Sequence, residues 1–162
     1  MNAVNPENTL LPAGHPADNS GPAQAAIEHK PLRKTVVYAC SGCSDAGELA
    51  DHIARELARS GVAEMSCLAG IGGRVKNLMN KAERAENILV IDGCPLNCAR
   101  NTLQLAGFKE FRHLELHRLG FRKGACPPTP GRVAVGIKAA AKMIDAEAAI
   151  CPNHISPEYL LY

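Results

Sequence analysis

Five of the seven cysteines in this chain fall in three groups, and each group directly follows a short apolar run. The first group is Cys40 and Cys43, the second is Cys67, and the third is Cys94 and Cys98. The apolar runs are typical of β-strands, so a parallel sheet would bring all five thiols to one edge. Thiols gathered in this way indicate a thiolate site, most simply for a bound metal ion.

Two short pairs of thiols supply the donors of a tetrahedral zinc site. We predict that Cys40, Cys43, Cys94 and Cys98 bind Zn²⁺, with Cys67 as an additional candidate ligand. Cys43 and Cys94 are expected to precede helices, whose N-termini favour thiolate over thiol. Four thiolates would close the coordination shell, as in structural sites, whereas an open position would allow catalysis or metal transfer. Whether the protein is an enzyme therefore stays open.

The same thiols are compatible with other chemistry. Four thiolates also bind an iron–sulfur cluster or Cu(I), whereas they argue against Mg²⁺ and Ca²⁺. Cys40 and Cys43 have the spacing of a thioredoxin-like redox dithiol, although no proline stands where a cis-proline would face them. In a related persulfide carrier, Cys94 or Cys67 would be the reactive thiol and Cys98 would resolve it.

Anion binding is a third alternative. Cys94 and Arg100 have the C-x5-R spacing of a phosphatase loop, but Pro95 lacks an N–H group and the loop has no internal glycine. The glycine-rich residues 70–73, before Arg74, have a composition suited to an anion at a helix N-terminus. A tight turn is the ordinary explanation of such a cluster.

The remaining polar residues have simpler interpretations. Asp45 and Asp92 flank the cysteine pairs, where each is a candidate to hydrogen-bond a metal ligand. Alternatively, Asp45 caps a helix and Asp92 ends a strand. Cys126 and Cys151 stand alone and are not predicted as ligands, although Cys126 could swing in from its loop. Three histidines are predicted to be ordinary surface or packing residues: His52, His113 and His117.

The apolar pattern predicts alternating strands and helices from residue 34 onwards. Strands are expected at 35–39, 63–68, 87–92 and 111–118, and helices at 44–60, 74–85, 95–106 and 132–149. Because parallel neighbours need right-handed crossovers, we predict an α/β fold. It is a three-layer, doubly wound, mostly parallel four-stranded sheet of order 2-1-3-4, with helices on both faces. Ligands of such sheets bind where the strand order reverses, here between strands one and three.

Composition predicts how the chain is organised. Residues 1–31 are rich in Pro, Ala, Asn and Gly and are predicted to be a disordered N-terminal tail. A single α/β domain is expected over residues 32–151, and a C-terminal tail over residues 152–162. The hydrophobic content of 46% is sufficient for a buried core without disulfides.

Charge and hydropathy exclude several classes of partner. The 18 basic and 16 acidic residues are scattered, and only 4% of residues are aromatic, so no nucleic-acid surface is predicted. The first thirty residues lack a signal-peptide pattern, and no apolar stretch is long enough to cross a bilayer. We therefore expect a cytoplasmic protein without a membrane partner, acting on another protein or on a small sulfur or metal species.

Three sequence motifs resemble the DGC domain family, which is named for its central Asp-Gly-Cys. They are ACSGCS at residues 39–44, LAGIG at residues 68–72 and IDGCPLNCA at residues 91–99. The resemblance extends from about residue 34 to at least residue 120. Members of this family are described as zinc-binding because of four chelating cysteines, and their biological function is not established. The resemblance implies that these four correspond to Cys40, Cys43, Cys94 and Cys98.

Overall fold

The computed structural model describes residues 34–40 and 44–145. The predicted tails, at residues 1–31 and 152–162, lie outside these ranges. Cys43 and Cys151 also lie outside them.

Four parallel strands form one sheet, in the order β2-β1-β3-β4 that the sequence predicts. The strands are β1 (Thr35–Ala39), β2 (Glu64–Met65), β3 (Asn87–Asp92) and β4 (Arg112–Glu115). All residues of β1 and all but the first of β3 are buried. Continuous burial of this kind is typical of central parallel strands, which have both faces covered.

The described part of the chain also has five α-helices and one short 3-10 helix, and the 3-10 helix and the last α-helix follow the last strand. The helices are α1 (Asp45–Arg59), α2 (Leu68–Gly72), α3 (Lys76–Glu83), α4 (Cys98–Leu105), the 3-10 helix (Leu116–Leu119) and α5 (Pro130–Met143). Helix α1 packs on α5, whereas α2 packs on α4. These two groups cover opposite faces, because right-handed crossovers that lead to opposite sides of β1 use opposite faces of the sheet. No helix in this part of the chain has the length and apolar character needed to span a membrane.

The core forms where the sequence pattern predicts it for α1. Leu49, Ile53 and Leu57 lie at helical spacing and are all fully buried against the sheet. Helix α5 contributes Val133 and Ile137 to the same core, and both are almost completely buried. The two helices therefore form one packed layer that fixes the start of α1 near the end of β1.

Several boundaries differ from the prediction. Strand β2 has two residues instead of six, because residues 68–72 turn into helix α2. Strand β4 ends at Glu115, and the 3-10 helix takes up the rest of the expected strand. Helix α5 begins at Pro130, where Thr129 accepts a hydrogen bond from the Arg132 amide.

Candidate functional site

The carboxyl ends of β1 and β3 bring parts of two cysteine groups into contact. Ala39 is paired in register with Ile91, and the Cys40 amide donates to the Ile91 carbonyl at 2.9 Å. The Cys40 Sγ then accepts a hydrogen bond from the Gly93 amide at 3.0 Å. Cys40 therefore lies directly against the loop that carries Cys94, although the bonded residues are 53 positions apart in sequence.

Gly93 lets this loop lie against the first turn of α1. A Cβ atom at Gly93 would lie 2.2 Å from the Ala46 carbonyl oxygen and 2.9 Å from the Gly47 amide nitrogen. These are backbone atoms, so the clash could be relieved only by moving the loop or the helix. The absence of a side chain at Gly93 thus allows the close approach of β3's loop to α1.

The Cys40 thiol lies in a buried environment. Burial raises its pKa to about 12, because the Gly93 hydrogen bond only partly offsets the desolvation. The negative charges of the Asp92 carboxylate and of a Cys94 thiolate are lesser contributions to this raised pKa. At neutral pH the Cys40 thiol is therefore protonated unless a positive charge compensates for its burial.

Asp92, the last residue of β3, is a buried hydrogen-bond acceptor with 1% of its surface exposed. Its Oδ1 accepts from the Ala99 amide at 2.9 Å, and its Oδ2 accepts from the Arg100 amide at 3.0 Å. Oδ2 also shares a 2.9 Å hydrogen bond with His113 Nε2. Burial raises the pKa of Asp92, but these hydrogen bonds outweigh it and hold the pKa below its ordinary value.

Helix α4 begins at Cys98, so the predicted start at Pro95 is wrong. Asn97 has a left-handed backbone conformation, with φ 50° and ψ 45°, and its side chain makes no capping hydrogen bond. A helix cannot continue backwards through such a residue. Asp92 supplies the carboxylate that an N-cap side chain ordinarily provides. Cys94 therefore does not immediately precede the helix, and Cys98 is its first residue.

The hydrogen bonds of Asp92 also argue against a phosphatase-like loop. The Ala99 and Arg100 amides donate to Asp92, so they are not free to hold a phosphate between Cys94 and Arg100. The glycine-rich residues 70–73 lie at the end of α2 and do not form a loop at the start of a longer helix.

Asp45 is the first residue of α1 and not its N-cap, so the predicted cap is wrong. Its Oδ1 accepts from the adjacent Ala46 amide at 2.8 Å, and its carboxylate also holds a distant loop. The N-cap is Ser44, whose Oγ accepts from the Gly47 amide at 3.3 Å. The Asp45 carboxylate accepts from the Gly124 amide at 2.8 Å and from the Cys126 amide at 2.7 Å, and these bonds lower its pKa. Cys126 is 1% exposed, and the hydrogen bond from its amide to Asp45 places it beside the start of α1.

His113 is not an ordinary packing residue, in contrast to the prediction, because it contacts Asp92. It is paired in register with Val90, two residues before Asp92, so the two side chains lie on the same face of the sheet. The sequence did contain a signal for this contact, because His113 lies on the strand next to β3 and faces the same side of the sheet as Asp92. His117 lies farther along this edge, with Nε2 at 3.9 Å from Glu115 Oε1.

The remaining cysteines of the site differ in exposure. Cys94 is half-buried, whereas Cys67 and Cys98 are exposed, and every described cysteine is a free thiol. Within residues 34–40 and 44–145, no three side chains of His, Cys, Asp or Glu are grouped closely enough to hold a metal ion. Cys43, one of the four predicted ligands, lies outside those ranges.

Comparison with known proteins identifies the family of this chain. The DGC domain matches residues 36–135, which include Cys40, Cys94, Cys98 and Asp92. The anaerobic and virulence modulator AnvM of Pseudomonas aeruginosa is 44% identical over 88 residues, which cover 54% of this chain and 67% of that protein. No solved structure matches the chain. Since the domain match covers more than half of the sequence, the chain belongs to the DGC domain family.

Proposed function

We propose that this protein binds Zn²⁺ through cysteine thiolates at the carboxyl edge of its sheet. The hydrogen bond from the Gly93 amide to Cys40 Sγ carries the proposal, because it joins the first cysteine group to the Asp-Gly-Cys loop. Amide hydrogen bonds to sulfur stabilise the negative charge of a thiolate and accompany thiolate metal centres. The proposed ligands are Cys40, Cys43, Cys94 and Cys98, with Cys67 as an additional candidate.

The donor set suits a soft divalent metal. Cys40 is buried next to a carboxylate, and its thiolate therefore needs a compensating positive charge. Zn²⁺ would supply that charge, deprotonate the sulfurs it binds and tie the loops after β1 and β3 together. Cys94 and Cys98 retain exposed surface through which a metal ion could reach them.

Asp92 and His113 hold the part of the chain that carries two of the proposed ligands. Asp92 fixes the first turn of α4, where Cys98 lies, and its own position is fixed by β3 and by His113. Both acceptor oxygens are used, so the carboxylate cannot rotate without losing hydrogen bonds. The ligand-bearing loop is thereby held at both ends before any metal binds.

A regulatory role is the favoured biological use of this site. The relative in Pseudomonas aeruginosa is named an anaerobic and virulence modulator, and this chain belongs to the DGC domain family. We propose that metal occupancy changes the exposed surface around Cys94 and Cys98 and so alters contact with a protein partner in the cytoplasm. Neither nucleic acid nor a membrane is part of this proposal.

Metal analysis of the purified full chain, combined with its absorption spectrum, tests the proposal. Stoichiometric zinc without visible absorption bands is the expected result. Visible absorption bands of an iron–sulfur cluster would show that the cofactor is such a cluster and not zinc. A metal-free protein that does not take up added Zn²⁺ or Co²⁺ would refute metal binding altogether.

Single alanine variants test the ligand set. Cys94→Ala and Cys98→Ala should lower the zinc content much more than Cys151→Ala, which is the matched control. Equal losses in all three variants would contradict the proposed ligands. Cys67→Ala decides whether Cys67 belongs to the set, because only a true ligand should change the cobalt thiolate absorption.

Thiol redox chemistry is the second candidate, and the exposure of Cys98 and Cys67 favours it. Accessible thiols react with small oxidants or sulfur donors, whereas buried thiols do not. In this case the Cys94 thiolate would take a sulfane sulfur from a persulfide donor, which leaves as a thiolate. Cys98 would then attack Cys94 Sγ, release hydrosulfide and leave a Cys94–Cys98 disulfide. A Cys94–Cys98 disulfide that forms in metal-free protein at the potential of a glutathione buffer would support this candidate.

A further inference from the structure

The amino edge of the sheet, opposite the cysteines, carries a cavity of about 400 Å³. It lies between the starts of β1 and β2 and one side of α3, and none of the described cysteines lines it. Lys34 and Val36 form one wall and Glu64 another. The cavity is therefore separate from the proposed metal site.

Helix α3 turns a polar face towards this cavity. Asn77, Asn80, Lys81 and Arg84 line it, and their spacing of three, four and seven residues places them on one side of the helix. The other side carries the buried Ala82 and packs on the core. Asn77 and Arg84 are exposed and Asn80 and Lys81 are half-buried, so this polar face is open to a ligand from solvent.

The charges that line the cavity are only partly compensated. Lys81 Nζ lies 2.6 Å from Glu64 Oε1, so these two charges neutralise each other. In the part of the chain that the structure describes, no hydrogen bond or ion pair engages the side chains of Lys34, Arg84 and the two asparagines. The neighbouring carboxylates of α3's C-terminal turn do not line the cavity. Two cations and two carboxamides are thus left to face solvent.

We propose that this cavity binds a small molecule through an oxyanion, either a phosphate or a carboxylate. The Arg84 guanidinium matches the geometry of such a group, and Lys34 adds a second positive charge. Asn77 and Asn80 supply amide donors from the same helix face. The cavity volume falls within the range of small-molecule sites, which is about 300–1,000 Å³.

A neighbouring cavity indicates what the rest of the ligand is like. It measures about 540 Å³, shares Lys34, Val36 and Glu64 with the first cavity, and extends to the other side of β2. Val62 and Met65 are among the apolar residues that line it. The shared residues lie at the amino edge of the sheet, so a ligand anchored by its anion in the first cavity would place an apolar body in the second by passing around this edge.

Titration of the ¹⁵N-labelled full chain with hexyl phosphate and with hexanoate tests this site by NMR. We expect saturable shifts of the α3 amides, and about tenfold weaker binding in Arg84→Gln because one charge-assisted contact is lost. Arg122→Gln is the control, since Arg122 is an exposed arginine outside both cavities. Asn80→Ala is a second variant, and thermal midpoints verify that each variant folds.

The outcomes distinguish the ligand classes. If only hexyl phosphate saturates the shifts, the site binds phosphates, and if only hexanoate does, it binds carboxylates. Saturation with both probes assigns a general oxyanion site. Inorganic phosphate and acetate should bind more weakly than the alkyl probes, and equal affinities would overturn the apolar part of the assignment. Absence of saturable shifts with either probe, or equal weakening by Arg84→Gln and Arg122→Gln, would overturn the site itself.

Discussion

Replacement of Asp92 by asparagine removes the charge that organises the Asp-Gly-Cys loop while nearly preserving its shape. The carboxylate is 1% exposed and accepts hydrogen bonds from the Ala99 and Arg100 amides and from His113. An asparagine has one acceptor oxygen, so its NH₂ group must face at least one backbone N–H donor. The variant therefore leaves a buried donor without a partner at the start of α4.

The size of the effect follows from these contacts. A hydrogen bond to a charged group contributes about 1.5–3 kcal/mol, and burial of the carboxylate offsets part of the sum of three. Loss of one partner of a buried charged pair costs about 3–5 kcal/mol. We expect Asp92→Asn to lower the free energy of unfolding by about 3 kcal/mol. The measurement is urea unfolding followed by circular dichroism at pH 7.

The control for this experiment is Asp51→Asn. Asp51 Oδ2 lies 2.6 Å from Arg55 Nε on the solvent side of α1, so its loss should change stability little. Equal stability of the Asp92→Asn and Asp51→Asn variants would refute the role given to Asp92. His113→Gln removes one of the three hydrogen bonds to Asp92. Its free energy of unfolding should therefore lie between those of wild type and Asp92→Asn.

The dependence of the protein's stability on pH gives a second test of the role of Asp92. The pKa of Asp92 in the folded protein lies below the ordinary value of 3.8. A lowered pKa means that the folded state binds a proton less readily than the unfolded state, so the contribution to stability is complete above pH 3.8. It is lost as the pH falls through the folded-state pKa. The difference in free energy of unfolding between wild type and Asp92→Asn should therefore shrink in that acidic range and stay constant at higher pH.

Two further predictions concern the same edge of the sheet. Gly93→Ala should destabilise the protein by about 2–4 kcal/mol, because its Cβ would overlap the Ala46 carbonyl. Gly72→Ala, whose Cβ would make only an ordinary contact, should be nearly neutral in the same urea unfolding measurement. In metal-free protein at pH 8, iodoacetamide should modify the exposed Cys98 much faster than the buried Cys40, as measured by mass spectrometry of peptides. Equal rates would contradict the burial of Cys40.

The strand order was predictable because its signal is local and continuous. β1 and β3 are uninterrupted apolar runs, and a parallel sheet with right-handed crossovers allows few arrangements of such runs. The start of α4 was not predictable in the same way. Its cap is Asp92, seven residues before Ala99, and Asn97 between them adopts a left-handed conformation that its residue type permits but does not require.

Long-range contacts explain what the sequence missed at the site. The partner of Asp92 is His113 on β4, and the partner of Asp45 is a loop about 80 residues away. Neither residue type identifies such a partner, because aspartate caps helices and ends strands much more often than it joins distant segments. The edge at which the cysteines lie was predictable from the topology, whereas the groups that position them required the tertiary contacts.

The Asp-Gly-Cys triplet combines three residues with separate physical reasons to be there. Asp92 is needed for the start of α4, and Gly93 is needed because a side chain would meet the backbone of α1. Cys94 has no such role in the described structure, since its side chain is half-buried and makes no hydrogen bond within the described residues. Substitutions of Asp92 and Gly93 should therefore lower the stability of the protein, whereas a substitution of Cys94 should impair metal binding alone. Loss of metal binding in Cys94→Ser, with an unfolding midpoint equal to that of wild type when both proteins are metal-free, would show this separation. Equal destabilisation of the metal-free proteins at all three positions would refute it.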